Sequence, residues 1–106
     1  MAKYTIIESR DPFEGDDFAR RLAPSLAAAG NEVAVFLVDN GVFAARSGVA
    51  SELLSTLQEA GVQIFADDFA LAERGIAGEA LAAAVTSTTL DTLVDQLAEG
   101  RKTIWH

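Results

Sequence analysis

Three times along the chain, an Ala- and Leu-rich amphipathic stretch runs into a glycine and then into a short run rich in Val, Ile and Phe. The joints are Ala27-Ala28-Ala29-Gly30 before Val33-Ala34-Val35-Phe36-Leu37-Val38, Gln58-Glu59-Ala60-Gly61 before Val62-Gln63-Ile64-Phe65, and Leu97-Ala98-Glu99-Gly100 before Thr103-Ile104-Trp105. A glycine just past a helix takes the left-handed conformation at little steric cost, and the β-branched run after it reads as a strand. Helices alternating with strands in this way call for parallel pairing through right-handed crossovers, with helices on both faces of the sheet. The expected fold class is α/β, a three-layer α/β/α domain around a mainly parallel sheet of four to five strands.

The strands fall at about 4–8, 33–38, 62–66 and 102–105. Their near-continuous apolar character fits burial on both faces. A fifth short strand is expected within 79–85, although Ala82-Ala83-Ala84 favours helix by propensity. The helical stretches carry apolar stripes at helical spacing: Phe18, Leu22, Leu26 and Ala29 in the first, Leu53, Leu54 and Leu57 in the second, Leu90, Leu93, Val94 and Leu97 in the last. Each stripe is expected to face the core. Thr88 and Asp91 have the spacing of a capping box that starts the last helix. Pro24 removes a backbone hydrogen bond inside the first helix, so a kink or a late helix start is expected there.

Composition narrows the function classes. With 106 residues, 50% hydrophobic and 23% charged, the chain builds one core and is read as a single domain, 1–106. It contains no run of about 18 apolar residues that could span a bilayer. Cysteine is absent, which removes disulfides, thiolate metal sites and thiol nucleophiles. Met1-Ala2-Lys3-Tyr4 does not open a secretory signal, so the cytoplasm is the expected compartment. The net charge of −8 repels a polyphosphate backbone, and nucleic acid is not expected as a direct partner.

In open α/β sheets, ligands bind beyond the carboxyl ends of the strands. The segments there are Glu8-Ser9-Arg10-Asp11-Pro12-Phe13-Glu14-Gly15-Asp16-Asp17, then Asp39-Asn40-Gly41, then Asp67-Asp68. They gather seven carboxylates toward one rim: Asp11, Glu14, Asp16, Asp17, Asp39, Asp67 and Asp68. Acidic residues cap helix N-termini well, and the same rim offers ligands to a divalent cation. A phosphorylated receiver would need an acidic pair at the end of the first strand and a lysine at the exit of the last. This chain has no clear pair there, and Lys102 stands at the entry. The glycine-rich phosphate cradles and the G-x-S-x-G elbow are also absent, so no cofactor is implied. His106 closes the sequence, where fraying argues against a general base. Trp105 is expected to pack in the core, or else to line an interface or pocket wall.

Residues 4–76 resemble the DsrE/DsrF/DsrH superfamily, whose members include the Tus sulfur-relay subunits that serve tRNA thiolation. The resemblance rests on Ile6-Ile7 leading into Ser9-Arg10-Asp11-Pro12-Phe13, on Val35-Phe36-Leu37-Val38-Asp39-Asn40-Gly41-Val42-Phe43-Ala44-Ala45, and on Val62-Gln63-Ile64-Phe65-Ala66 followed by Leu71-Ala72-Glu73-Arg74-Gly75-Ile76. Residues 39–45 and Trp105 look more like the DsrH/TusB branch. The resemblance implies subunits that assemble as trimers or hexamers and relay a persulfide sulfur between cysteines of partner proteins. It places the carrier cysteine after the third strand, about eight residues before the glycine of the Arg-Gly pair, which is Asp67 here. Without a thiolate the chain cannot carry a persulfide in that way.

Two expectations follow. One is a non-catalytic subunit, scaffolding a sulfur relay or binding a partner as a homo-oligomer or as a hetero-oligomer with DsrE-type homologues, with Phe13, Phe43, Phe69 or Trp105 on the shared face. The other is a domain that holds a divalent metal or small ligand on the acidic rim. The pocket candidates are Ser9, Arg10, Asp11, Asp39, Asn40, Asp67, Asp68, Arg74 and Trp105. No catalytic residue and no resident metal is assigned.

Overall fold

The computed structural model describes residues 1–14 and 17–106. Five strands form one all-parallel sheet: β1 (Lys3–Glu8), β2 (Glu32–Leu37), β3 (Gln63–Asp67), β4 (Thr86–Thr88) and β5 (Lys102–Trp105), in the order β4-β3-β2-β1-β5. The helices between them are α1 (Phe18–Ala28), α2 (Ser51–Glu59), α3 (Asp68–Glu73) and α4 (Leu90–Ala98). The joints at Gly30, Gly61 and Gly100 turn through φ values of 91°, 78° and 79°, as the helix-glycine-strand pattern requires.

Strand order decides where the helices lie. From β1 to β4 the chain steps in one direction across the sheet, so right-handed crossovers put α1, α2 and α3 on the same face. The link from β4 to β5 runs back over the whole sheet, and α4 therefore lies on the opposite face. Side chains alternate accordingly. Ile6, Val33, Val35, Leu37, Ile64 and Ala66 pack with Ala23, Leu54, Leu57 and Leu71 in the main core, whereas Ile7, Phe36 and Val38 meet Leu93 in a smaller second core. Buried Thr5 donates its hydroxyl to Gln96 Oε1 at 2.9 Å and ties α4 to the sheet.

One helix cannot cover that second face. α4 has nine residues, about 13 Å of length, against roughly 19 Å across five strands. Of its expected buried stripe only Leu93 is in the core; Leu90, Val94 and Leu97 are 47%, 58% and 43% exposed. In α1 the buried positions are Ala19 and Ala23, with Phe18, Leu22 and Leu26 partly buried and Ala29 exposed.

Other details depart from the sequence-based expectations. The fifth strand is Thr86–Thr88, not within 79–85, where the chain forms a 3₁₀ turn at Gly78–Ala80 and a single antiparallel bridge from Leu81 to Arg46. The last helix is preceded by Thr89 with no side-chain cap; Thr88 belongs to β4, and its hydroxyl meets that of Thr92 at 2.7 Å. Pro24 sits inside an α1 that already starts at Phe18, so there is no late start. Asp39-Asn40-Gly41 is not an open loop but the start of a 3₁₀ helix, Asp39–Ala45. Gly41 is needed there by close approach: a Cβ at this position would overlap the Glu8 carbonyl oxygen. β5 is an edge strand, exposed at Lys102, Thr103 and Trp105, and so lacks the two-sided burial of β2.

Candidate functional site

The carboxyl ends of the strands place Glu8, Val38, Asp67 and Thr88 along one edge. Asp67 is 5% exposed and extended, and it is the N-cap of α3: its Oδ1 accepts from the Phe69 N–H and its Oδ2 from the Ala70 N–H, each at 3.3 Å. Both oxygens are thereby engaged with the backbone, and the side chain is turned into the fold instead of toward solvent. Asp68, one residue on, is exposed.

Arg74 is the other anchor of this region. It donates from Nε and Nη2 to Asn40 Oδ1, both at 3.1 Å, and from Nη1 to the Ala70 carbonyl at 3.2 Å. Its guanidinium also stands 5.9 Å from the Phe43 ring, which Arg46 approaches to 4.9 Å. The Arg-Gly pair thus clamps the 3₁₀ helix Asp39–Ala45 onto the end of α3, with Gly75 turning at φ 67°. Phe43 is covered by these two arginines and is only partly exposed, unlike Phe13, Phe69 and Trp105, which are 78%, 66% and 65% exposed. Trp105 stands outside the core because β5 is an edge.

At the β1 end, Ser9 donates from N and Oγ to the His106 carbonyl oxygen, at 3.1 and 2.9 Å. His106 is not frayed. Its N–H donates to the Ile7 carbonyl at 2.8 Å, its Nδ1 lies 2.9 Å from Glu8 Oε1, and its ring stacks on Phe18 at 4.3 Å. The partners come from β1 and α1, so nothing in the local sequence could announce them. Ser9 therefore serves to tie the end of β1 to the backbone of His106. Arg10 is exposed; with Asp11 it lines a cavity of about 400 Å³ against α1 and α2.

The candidates therefore divide into two groups. Asn40, Asp67 and Arg74 come together through α3 and the 3₁₀ helix, and Ser9, Arg10 and Asp11 lie at the end of β1. Asp39 is exposed at φ 46°, the one non-glycine residue with positive φ among those described. Among the described residues, no three acidic or histidine side chains converge as a metal site would require. Asp16 and Gly15 lie outside the described residues. The feature that sequence reasoning missed is the outward apolar face of α4. Its signal was present: Leu90, Leu93, Val94 and Leu97 make a stripe wider than one small core needs.

The model of the DsrE/DsrF-like family matches residues 2–105. The chain belongs to the DsrE/DsrF-like family. Solved structures agree on the fold of this family member over its length. The ychN protein from E. coli is 22% identical with a TM-score of 0.88, each chain covered in full. MTH1491 from Methanobacterium thermoautotrophicum, described as a protein of unknown function, is 21% identical with a TM-score of 0.85, again over both whole chains. BT1422 from Bacteroides thetaiotaomicron is 18% identical with a TM-score of 0.79, over 98% of this chain and 94% of that one. At these identities the likeness establishes architecture alone. No curated protein matches the chain. The family match is to the DsrE/DsrF-like group as a whole and singles out no DsrH branch. Among the described residues no helix is long and apolar enough to cross a membrane.

Proposed function

We propose that this chain is a non-catalytic DsrE/DsrF-like subunit, an accessory or scaffold component of a cytoplasmic sulfur-relay assembly. The observation that carries the proposal is Asp67. At the position where the resemblance puts a carrier cysteine, this family member has a carboxylate that is 5% exposed and spent on capping α3. The residue serves the fold, and with no cysteine elsewhere in the sequence the chain has no sulfur nucleophile to offer.

What remains to it is assembly. Leu90, Val94 and Leu97 form an exposed apolar stripe on α4, the element that covers the second face of the sheet incompletely. A contiguous apolar surface of this kind on a small domain marks an interface. The occupant that fits is another DsrE-type subunit, a second copy or a cysteine-bearing homologue, in a trimer or hexamer.

Light scattering on the purified protein, alone and mixed with a cysteine-bearing DsrE-type homologue from the same source, tests this. A defined mixed oligomer is the expected result. A chain that stays monomeric and ignores the homologue overturns the reading.

A further inference from the structure

A cavity of about 400 Å³ opens between α1 and α2, on the three-helix face of the sheet. Neither Asp67 nor Arg74 lines it, and the exposed stripe of α4 lies on the opposite face; Arg10 and Asp11 at the end of β1 stand at its edge. Buried Val35, Leu37, Leu54 and Ile64 lie beneath it, and the apolar surface it opens to solvent comes from Pro12, Phe13, Val49 and Leu53. The volume falls in the range of about 300–1,000 Å³ typical of small-molecule sites, and apolar walls with a few charged groups at one end are the usual make-up of such sites.

The mouth has a definite electrostatic character. Arg20 bridges two carboxylates, with Nη1 2.8 Å from Glu52 Oε1 and Nη2 3.1 Å from Asp17 Oδ2. One cation between two anions leaves an excess negative charge at the edge of an apolar hollow. Asp11 also lines the cavity, as does Glu8, which His106 Nδ1 already meets at 2.9 Å, and Arg10 is the only further arginine or lysine among its described lining residues. An anionic ligand would enter against this balance; a cationic one would complete it.

We propose that this cavity binds a small organic cation with an aliphatic body, an alkylammonium in chemical class. The hydrocarbon displaces water from Pro12, Phe13, Val49 and Leu53, and the ammonium group joins the Asp17–Arg20–Glu52 cluster as its second cation. The inference is independent of subunit assembly.

Methyl-resolved NMR titration with octylammonium, octanoate and octanol, each below its micellar concentration, tests the proposal on the intact protein. The expected result is a saturable shift of the Val49 and Leu53 methyl signals with octylammonium and none with octanoate at the same concentration. Glu52→Lys, at a side chain 84% exposed, keeps the fold and weakens octylammonium binding about tenfold, since reversing a charge beside the ammonium removes an attraction of order 1 kcal/mol or more. The proposal is overturned by the absence of saturation, by octanoate or octanol binding as well as octylammonium, by shifts at Leu90 and Val94 instead of the cavity, or by a Glu52→Lys protein that binds as before.

Discussion

The hydroxyl of Thr5 and the side-chain amide oxygen of Gln96 meet at 2.9 Å in a buried contact between the central region of the sheet and its lone helix on the second face. The two residues stand 91 positions apart, and α4 has few other ties to the sheet beyond Leu93. Gln96→Ala leaves the Thr5 hydroxyl buried without this partner and is expected to cost about 1–3 kcal/mol in urea unfolding. The double change Thr5→Val with Gln96→Leu removes both polar groups and is expected to recover most of that loss. Equal losses in the single and double variants would show that the hydrogen bond is not what secures α4.

Gly41 packs where the 3₁₀ helix Asp39–Ala45 crosses the end of β1. Gly41→Ala forces its new methyl group onto the Glu8 carbonyl, so the backbone of one segment must move. A loss of about 3 kcal/mol is expected, at the upper end of overpacking costs. Gly78→Ala meets nothing within 4 Å and serves as the control, with a change of less than about 1 kcal/mol.

Asp67→Ala removes an N-cap and should lower stability by about 1 kcal/mol. Asp67→Cys places sulfur at the position the family resemblance indicates. Because the side chain there is 5% exposed, its alkylation by iodoacetamide should be slower than that of Asp68→Cys, whose position is exposed. Faster reaction at 67 would mean that the site opens readily, and the structural account of Asp67 would fail.

Val94→Asp separates stability from assembly. The residue is 58% exposed on α4, so unfolding of the monomer should shift by less than about 1 kcal/mol. The mass measured by light scattering should nevertheless fall to that of a single chain if the α4 stripe is the contact surface. An unchanged oligomer would move the interface elsewhere, with exposed Phe13 or Trp105 as the next surfaces to alter.

The helix-to-strand joints were legible in the sequence because each is local: the glycine, the preceding stripe and the following β-branched run lie within a few residues. What escaped was set at long range. Thr86, Ser87 and Thr88 carry no apolar strand signal and are held as β4 only by pairing with Phe65, Ala66 and Asp67. Trp105 reads as a core residue by composition and is exposed by strand order. His106 reads as a loose end, yet β1 and Phe18 hold it. At the candidate site, Asn40, Asp67 and Arg74 stand out in the sequence by residue type alone. Their use in capping and clamping followed from a register that periodicity does not reveal.

The return of the chain across the whole sheet also orders its folding. Strands β1 to β4 and their helices pair with near neighbours in sequence, whereas β5 must close a loop of nearly the full chain; Ser9 and His106 meet across 97 positions. Until α4 and β5 dock, Ile7 and Phe36 form a bare apolar sheet face. At high concentration a neighbouring molecule's α4-β5 unit can dock there first, which makes this segment the natural element for exchange between copies.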